Sequence, residues 1–299
     1  MWDNLLSTAG DYVKFGLPMA SAMTVLAYGG ISYEDGYKAA GQFSYLQSTV
    51  KWGTDYLIKA HVSQNEFYCQ VGNGDIDHAY PGRPESMTVE RPAYILNPSK
   101  PGSDCAGESA ASLASASILF QDTDPAYSSL LVQHAKELFS FADTYRGLYS
   151  NSIPDAAKFY RYSSTVEQYF SIFNDPLHYC SSNSYEDELI WAAAWLFRAT
   201  GDASYLTKAE DMYASKSQNW MWSFDWSDKL PGAQLLLFEL TGKDKYKTDV
   251  EAFCDYAMSI TQSPGGQTHL TEWGSNRHAS NLAFICLGVN INSKQTQGY

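Results

Sequence analysis

The fold of this chain is indicated most clearly by a short pattern that occurs twice, as ATGDASY at residues 199–205 and as LTGKDKY at residues 240–246. In both copies a Thr-Gly pair follows an apolar helical pattern, and a tyrosine stands four residues after the glycine. A glycine just past a helix end readily adopts the left-handed backbone conformation that stops the helix. Gly201 and Gly242 are 41 residues apart. A repeat near 40 residues is typical of stacked helix pairs, arranged either as an open solenoid or as a closed α/α toroid.

Most of the remaining chain also shows helical periodicity, whereas the alternation typical of strands is rare. Within residues 128–145, for example, Leu131, Leu138, Phe141 and Tyr145 are placed to share one helix face. The sequence therefore predicts an all-α fold in one domain spanning residues 1–299. Further helices are predicted at 18–28, 40–62, 104–120, 186–200, 203–215, 230–241, 244–261 and 277–288, and loops at 63–103, 216–229 and 263–276.

Composition narrows the classes of partner. The net charge of the 299-residue chain is −13, from 33 acidic and 20 basic residues. Such a charge repels nucleic acid and anionic lipid, and no apolar run is long enough to cross a bilayer. We therefore expect neither a nucleic-acid nor a membrane partner. Aromatic residues make up 15% of the chain, which suits the stacking of sugar rings, although most tyrosines of helical proteins simply lie where core meets surface.

The cysteines give little indication of a disulfide framework. There are five of them, scattered along the chain and without a CxxC pair: Cys69, Cys105, Cys180, Cys254 and Cys286. This pattern predicts neither a zinc cluster nor a dense set of disulfides. Buried free thiols are the default expectation.

Two glycine-containing segments carry the polar residues with the clearest chemical interest. Residues 9–20 read AGDYVKFGLPMA, in which Asp11 precedes Lys14 and a helix start at Pro18. Residues 69–80 read CQVGNGDIDHAY. By residue type alone, the first favours a structural ion pair, and the second suggests a solvated turn or a cation site.

Both segments resemble glycoside hydrolase family 9, the inverting endoglucanases. The first is similar to that family's Asp-Ala-Gly-Asp-Tyr-Val-Lys-Phe loop, whose two aspartates position and deprotonate the attacking water. The second is similar to its Gln-Val-Gly-x-Gly-x-x-Asp-His segment, which lines the substrate cleft. The resemblance implies that Asp11 is the catalytic base and that His78 contacts a sugar hydroxyl. Thr8 stands where the first aspartate of the family would be.

Two tryptophan-bearing segments also resemble the family, namely residues 218–226 and 272–281. The second is similar to the motif Trp-Gly-x-x-Arg-(Tyr/His)-Ala-x-Asn. The resemblance implies that Trp222 or Trp226 floors a glucose subsite. It further implies that Trp273 stacks on a glucose ring and that Arg277 and His278 bind hydroxyls. A structural alternative is that Arg277 pairs with a carboxylate and Trp273 plugs one end of the barrel. The complete set expected to bind substrate is His78, Tyr80, Trp222, Trp226, Trp273, Arg277 and His278.

A further segment, residues 184–195, resembles a helix opening that holds calcium in several family members. The implied ligands are Ser184, Asp187, Glu188 and Asp228. The chain departs from the family in that Ser227 follows Trp226 and Asp228 comes one place later. Acidic residues in a first helical turn also have a structural explanation, because they suit the positive helix end. We expect no cofactor for the chemistry, and the resemblance allows a structural calcium ion.

The resemblance implies an (α/α)6 barrel of twelve helices, of which this chain carries an incomplete part lacking the N-terminal start and the C-terminal helices. Residues 165–180 are interpreted as an insertion foreign to the family. The implied enzyme is a secreted, monomeric cellulase that cleaves internal β-1,4-glucosidic bonds of cellulose or a related β-glucan.

Inverting hydrolysis needs a carboxylate base and a carboxylic acid. No match to the family's general-acid glutamate segment is found here, and no signal peptide is seen in the first residues. We therefore expect at most trace activity from the chain. The alternative is an inactive glucan-binding remnant or an incomplete gene product.

Overall fold

The computed structural model describes residues 11–160, 184–215, 223–270 and 274–296. Thr8, Trp222, Trp273 and the predicted insertion at 165–180 lie outside these residues. The chain divides into two compact units. The first contains described residues 11–160 and 184–208, and the second contains those from 209 onward.

Helices account for most of the described residues of both units. The strands are very short. The helices are α1 Gly16–Ser32, α2 Glu34–Ala39, α3 Phe43–Ala60, α4 Gly74–His78, α5 Ser103–Phe120, α6 Pro125–Thr144, α7 Tyr149–Ser152, α8 Glu186–Thr200, α9 Ala203–Ser215, α10 Leu230–Thr241, α11 Asp244–Ser259 and α12 Ser275–Thr296. The strands are β1 Lys14–Phe15, β2 His61–Ser63, β3 Glu66–Val71 and β4 Ala93–Leu96.

The first unit is built around α5, which is buried along nearly its whole length. Its sequence SDCAGESAASLASASILF is rich in Ala, Ser and Gly, so neighbouring helices can approach it closely. Helices α1, α3, α6 and α8 pack against it. Thr24 of α1 donates a hydrogen bond of 2.7 Å to Glu108 of α5. This bond satisfies polar atoms inside a helix–helix interface, where an unpaired group would be costly.

The predicted glycine stops are confirmed. Helix α8 ends at Gly201 with φ 71°, and α10 ends at Gly242 with φ 65°. In both cases the glycine N–H bonds the carbonyl four residues earlier, at 2.8 Å. A residue with a Cβ rarely adopts this conformation, so the repeated glycine marks a repeated backbone geometry.

A small sheet corrects the prediction of a long loop at 63–103. Strand β3 pairs antiparallel with β1, β2 and β4. Strand β1 has only two residues, which is too short to give a period-two pattern in the sequence. The sheet is an addition to a helical fold and positions the segments considered below.

The second unit packs α11 and α12 against α10. Its buried side chains include Leu236, Phe253 and Ile285. Gln234 of α10 donates to the hydroxyl of Tyr213 in α9 at 3.0 Å. Tyr246, from the second copy of the repeat, is buried and meets Tyr213 edge to face with ring centroids 5.0 Å apart.

Two disulfides overturn the expectation of free thiols. Cys69 of β3 is bonded to Cys105 of α5, and Cys254 of α11 to Cys286 of α12. Their Cα atoms are 6.5 and 5.5 Å apart, within the usual range for a disulfide. The partners are 36 and 32 residues apart in sequence, so no local spacing announces them. None of the described helices is long and apolar enough to cross a membrane.

Candidate active site

The sheet brings three chain segments to one edge of the first unit. Strand β3 runs antiparallel to both β1 and β4, with Val71 opposite Lys14 on one side and Ala93 on the other. The start of β1, the end of β3 and the start of β4 are therefore neighbours. Asp11 precedes β1, His78 ends the short helix after β3, and Arg91 precedes β4.

The two polar residues singled out for catalysis and sugar contact lie side by side. The distance from Asp11 Oδ1 to His78 Nδ1 is 3.1 Å. The Asp11 side chain is 22% exposed and that of His78 is 77% exposed. This carboxylate–imidazole pair is thus open to a ligand.

Arg91 braces both halves of this pair. Its Nη1 donates to the two carboxylate oxygens of Asp77 at 3.0 and 2.9 Å, and its Nη2 donates to the Tyr12 carbonyl. Asp77 is fully buried and adjoins His78, whereas Tyr12 adjoins Asp11. One guanidinium therefore fixes the segment of the candidate base relative to that of the imidazole.

Gly72 leaves the space that the close approach of Arg91 and Asp77 requires. Its φ is 96°, a conformation that residues with a Cβ rarely adopt. A Cβ at this position would lie 2.9 Å from Arg91 Nη2 and from Asp77 Oδ2. The glycine is needed both for the turn and for the ion pair.

A second brace comes from Asp155, 7% exposed. Its carboxylate accepts hydrogen bonds from Gln70 Nε2 at 2.5 Å, Asn73 Nδ2 at 3.0 Å and the Gly74 N–H at 2.8 Å. Asn73 in turn caps α4 by accepting from the Ile76 N–H at 3.0 Å. The helix that ends at His78 is thus anchored at its N-terminus.

Tyr80 lies half-buried beside the same site. Its ring meets that of Tyr12 nearly edge-on, with centroids 6.1 Å apart. Its hydroxyl donates to the Arg83 carbonyl at 3.3 Å. The predicted sugar contact by Tyr80 stays a prediction.

In the second unit, His278 is 1% exposed, and each of its two ring nitrogens contacts a neighbouring side chain. Its Nδ1 lies 2.7 Å from Ser223 Oγ, and its Nε2 lies 2.8 Å from Arg277 Nη2. Because Arg277 can only donate, Nε2 is the acceptor and Nδ1 carries the proton. Arg277 is 46% exposed and lies 3.5 Å from Asp225 Oδ2, so the carboxylate contact of the structural alternative is present. The observed contacts indicate that His278 orients the Arg277 side chain. The predicted contacts of both residues with sugar stay predictions.

Trp226 occupies the turn between Asp225 and Asp228, whose backbones form an isolated bridge, and it is half-buried. Its role as a subsite floor also stays a prediction.

The proposed calcium ligands of the first unit begin α8. Asp187 is 1% exposed and Glu188 is 0% exposed, while Ser184 is half-buried and its hydroxyl accepts from the Glu186 N–H at 3.0 Å. Asp228, in the second unit, accepts from the Leu230 N–H at 3.0 Å. The two buried carboxylates and the hydroxyl are hard oxygen donors of the kind that Ca²⁺ prefers.

Sequence reasoning missed the bracing residues. Arg91 stands in the segment RPAY at residues 91–94, directly before β4. Asp155 lies in a segment without any motif, and nothing local to it indicates that it would meet residues 70–74. Only the fold brings these charges to the site.

Comparison with known proteins identifies the class. The family model of glycosyl hydrolase family 9 matches residues 8–299. The chain belongs to this family.

Its relatives are endoglucanases. It is 42% identical to endoglucanase B of Cellulomonas fimi over 292 residues, which cover 93% of this chain and 26% of that protein. It is 42% identical to endoglucanase 5 of Arabidopsis thaliana over 295 residues, covering 93% and 44%. The chain therefore spans less than half the length of these relatives.

Among solved structures, the endoglucanase of the termite Nasutitermes takasagoensis matches with a TM-score of 0.87 and 48% identity, over 97% of this chain and 63% of that one. The Clostridium thermocellum endoglucanase CelQ, solved with cellotetraose, matches with a TM-score of 0.79 and 30% identity, over 94% and 44%. The predicted fold class, all-α of the (α/α)6 type, is confirmed by these matches.

Proposed function

We propose that the chain carries part of an endoglucanase that hydrolyses β-1,4-glucan by inversion, with Asp11 as the base. The supporting observation is the exposed Asp11–His78 pair, 3.1 Å apart, on segments braced by Arg91 and Asp155. In an inverting reaction a carboxylate removes a proton from water on one face of the sugar while an acid protonates the leaving oxygen. Asp11 takes the first role, and His78 orients it and binds a hydroxyl.

The substrate proposal rests on the family, on the exposed His78 and on the half-buried Tyr80. The related CelQ was solved with cellotetraose, and a neutral glucan suits a chain of net charge −13 better than a polyanion does. Two disulfides support an extracellular setting, since such bonds persist outside the reducing cytosol.

The experiment compares the chain with Asp11→Asn and with the control Asp35→Asn, an exposed carboxylate on α2. Release of reducing ends from amorphous cellulose, a neutral β-1,4-glucan, and binding of cellotetraose by calorimetry are both measured. Loss of a general base typically lowers the rate about 10²–10⁴-fold, so the hydrolysis by the parent, expected at trace level at most, should be undetectable in Asp11→Asn while cellotetraose still binds. Asp35→Asn should match the parent.

Two other outcomes would distinguish the proposed hydrolase from the alternatives. Binding of cellotetraose without any hydrolysis by the parent would favour the alternative, a glucan-binding protein that lacks turnover. Folded protein with neither binding nor hydrolysis would contradict the proposal.

We also propose that the members of the expected ligand set in the first unit, Ser184, Asp187 and Glu188, hold a structural Ca²⁺ ion. The buried carboxylates of the first unit support this ligand set. Ca²⁺ should raise the melting temperature of the parent and of Glu186→Gln, whose side chain is exposed, but not that of Asp187→Asn. Equal shifts in all three would contradict the site.

A further inference from the structure

Three side chains that play no part in the candidate active site lie close together in the first unit. All three are of types that bind metal ions. His61 begins β2, and His134 and Glu137 stand three residues apart on α6, so that both point from one helix face. The ligand atoms that the three residues offer lie within 4.8 Å of one another. Two imidazoles and a carboxylate therefore converge on one point.

The two imidazoles are in unusually direct contact. Their Nδ1 atoms are 2.8 Å apart, and their ring centroids are 5.0 Å apart. One of these nitrogens must be protonated and the other must present a lone pair. A metal ion placed between them would replace this shared proton and accept a lone pair from both rings, once the donor ring carries its proton on Nε2 instead.

The environment favours the neutral form that binds metal. His61 is 6% exposed, and its Nε2 has no hydrogen-bond partner among the described residues. Burial lowers the pKa of His61 and of His134, and the neighbouring imidazole lowers that of His61 further, while the Glu137 carboxylate acts in the opposite direction on both without reversing the shift. Neutral imidazole is the ligand form. The half-buried His134 and Glu137 leave a path for an ion to enter.

We propose that His61, His134 and Glu137 form a binding site for a divalent transition-metal ion. Zn²⁺ is the ion that this ligand set suits best. Two nitrogens and one carboxylate oxygen suit Zn²⁺, whereas Ca²⁺ and Mg²⁺ prefer sites made wholly of oxygen. Three protein ligands leave a fourth position for water. The ion ties β2, at the end of α3, to α6.

The test uses the disulfide-intact chain saturated with Ca²⁺, titrated with Zn²⁺ in a calorimeter and in a thermal melt. The variants are His134→Gln and Glu137→Gln, both at half-buried positions, with His269→Gln at an exposed position as the control. Circular dichroism checks that each variant folds. Co²⁺ serves as a spectroscopic probe, since its d–d bands report tetrahedral coordination.

We expect one equivalent of Zn²⁺ to bind and to raise the melting temperature of the parent and of His269→Gln. Residues outside the ligand shell already change metal affinity about 10–100-fold, so loss of a ligand in His134→Gln should weaken binding at least about tenfold. Glu137→Gln should weaken binding as well and alter the Co²⁺ spectrum. Absence of saturable binding to the folded parent, or unchanged affinity in His134→Gln, would overturn the site.

Discussion

At the scale of single residues, the candidate active site depends on the ion pair between Arg91 and the buried Asp77. Asp77 is fully buried, and Arg91 is 27% exposed. A buried ion pair adds little net stability, but removing one partner leaves an uncompensated charge in the interior. Arg91 also holds the Tyr12 carbonyl, so the loss of its side chain affects stability and site geometry together.

We predict that Arg91→Met lowers the free energy of unfolding by about 3–5 kcal/mol, because the buried Asp77 side chain loses its cationic partner. Urea denaturation followed by circular dichroism measures this change. The control is Arg83→Met, an exposed position in the same loop, where we expect little effect. Equal stability of the two variants would show that Arg91 is dispensable.

At the scale of secondary-structure elements, helix stops and bridges between helices decide the packing. Gly201 and Gly242 end two helices in the left-handed conformation, and a Cβ at either position would meet nothing within 4 Å. Gly36, inside α2, is equally open but has helical backbone. The three glycines thus differ in backbone conformation and not in the space available for a Cβ.

We predict that Gly201→Ala and Gly242→Ala each destabilise the protein by about 1–2 kcal/mol, since L-residues pay that amount in the left-handed region. The same change at Gly36 should stabilise it by about 0.5–1 kcal/mol, because alanine favours helix. Thermal melts of the three variants give the comparison. A similar sign at all three positions would refute the assignment of these stops.

Helices α6 and α9 are linked by a charged hydrogen bond from Lys208 to Asp143. Asp143 accepts hydrogen bonds from Arg146 and from Lys208. Burial acts to raise its pKa, but these two cations outweigh it and hold the pKa below the ordinary 3.8. An aspartate of lowered pKa stabilises the fold above its unfolded pKa, and this stability is lost as the pH falls through the folded value.

We therefore expect Asp143→Asn to be about 1 kcal/mol less stable than the parent at pH 7, a charged hydrogen-bond network having been lost. The difference should shrink as the pH falls from 3.8 through the lowered pKa of the folded parent, where its carboxylate becomes protonated as well. Unfolding measured across this range, with exposed Asp35→Asn as control, checks the expectation. A difference independent of pH would contradict it.

At the scale of the whole molecule, the disulfides supplement two cores of moderate size. Each bond joins an element to another far along the chain, β3 to α5 and α11 to α12. In the chain-entropy account a disulfide that closes a loop of this size restricts the unfolded ensemble. Reduction should therefore loosen each unit separately.

We predict that Cys69→Ala/Cys105→Ala lowers the free energy of unfolding by about 3–4 kcal/mol, and that Cys254→Ala/Cys286→Ala does so by a similar amount. Urea denaturation with and without reductant measures both. Thiol titration of the denatured, non-reduced chain should find at most one reactive group among its five cysteines. Detection of five would contradict both bonds.

The sequence by itself determined the long helices, their glycine stops and the family-like segments that carry Asp11 and His78. These features are local, because helical periodicity and a left-handed stop are written within a few neighbouring residues. Helix α8 begins and ends where it was predicted, at 186 and 200.

Only the tertiary structure decided the sheet, the disulfides, the braces of Arg91 and Asp155, and the His61–His134 contact. Each of these joins positions that are remote in sequence, 36 residues apart for Cys69 and Cys105 and 73 for the two histidines. No local pattern records such pairs, because their contact is fixed by the packing of helices around α5 and by the pairing of strands with β3. The chain's own residues therefore indicated which groups could react, and the fold determined how those groups are held.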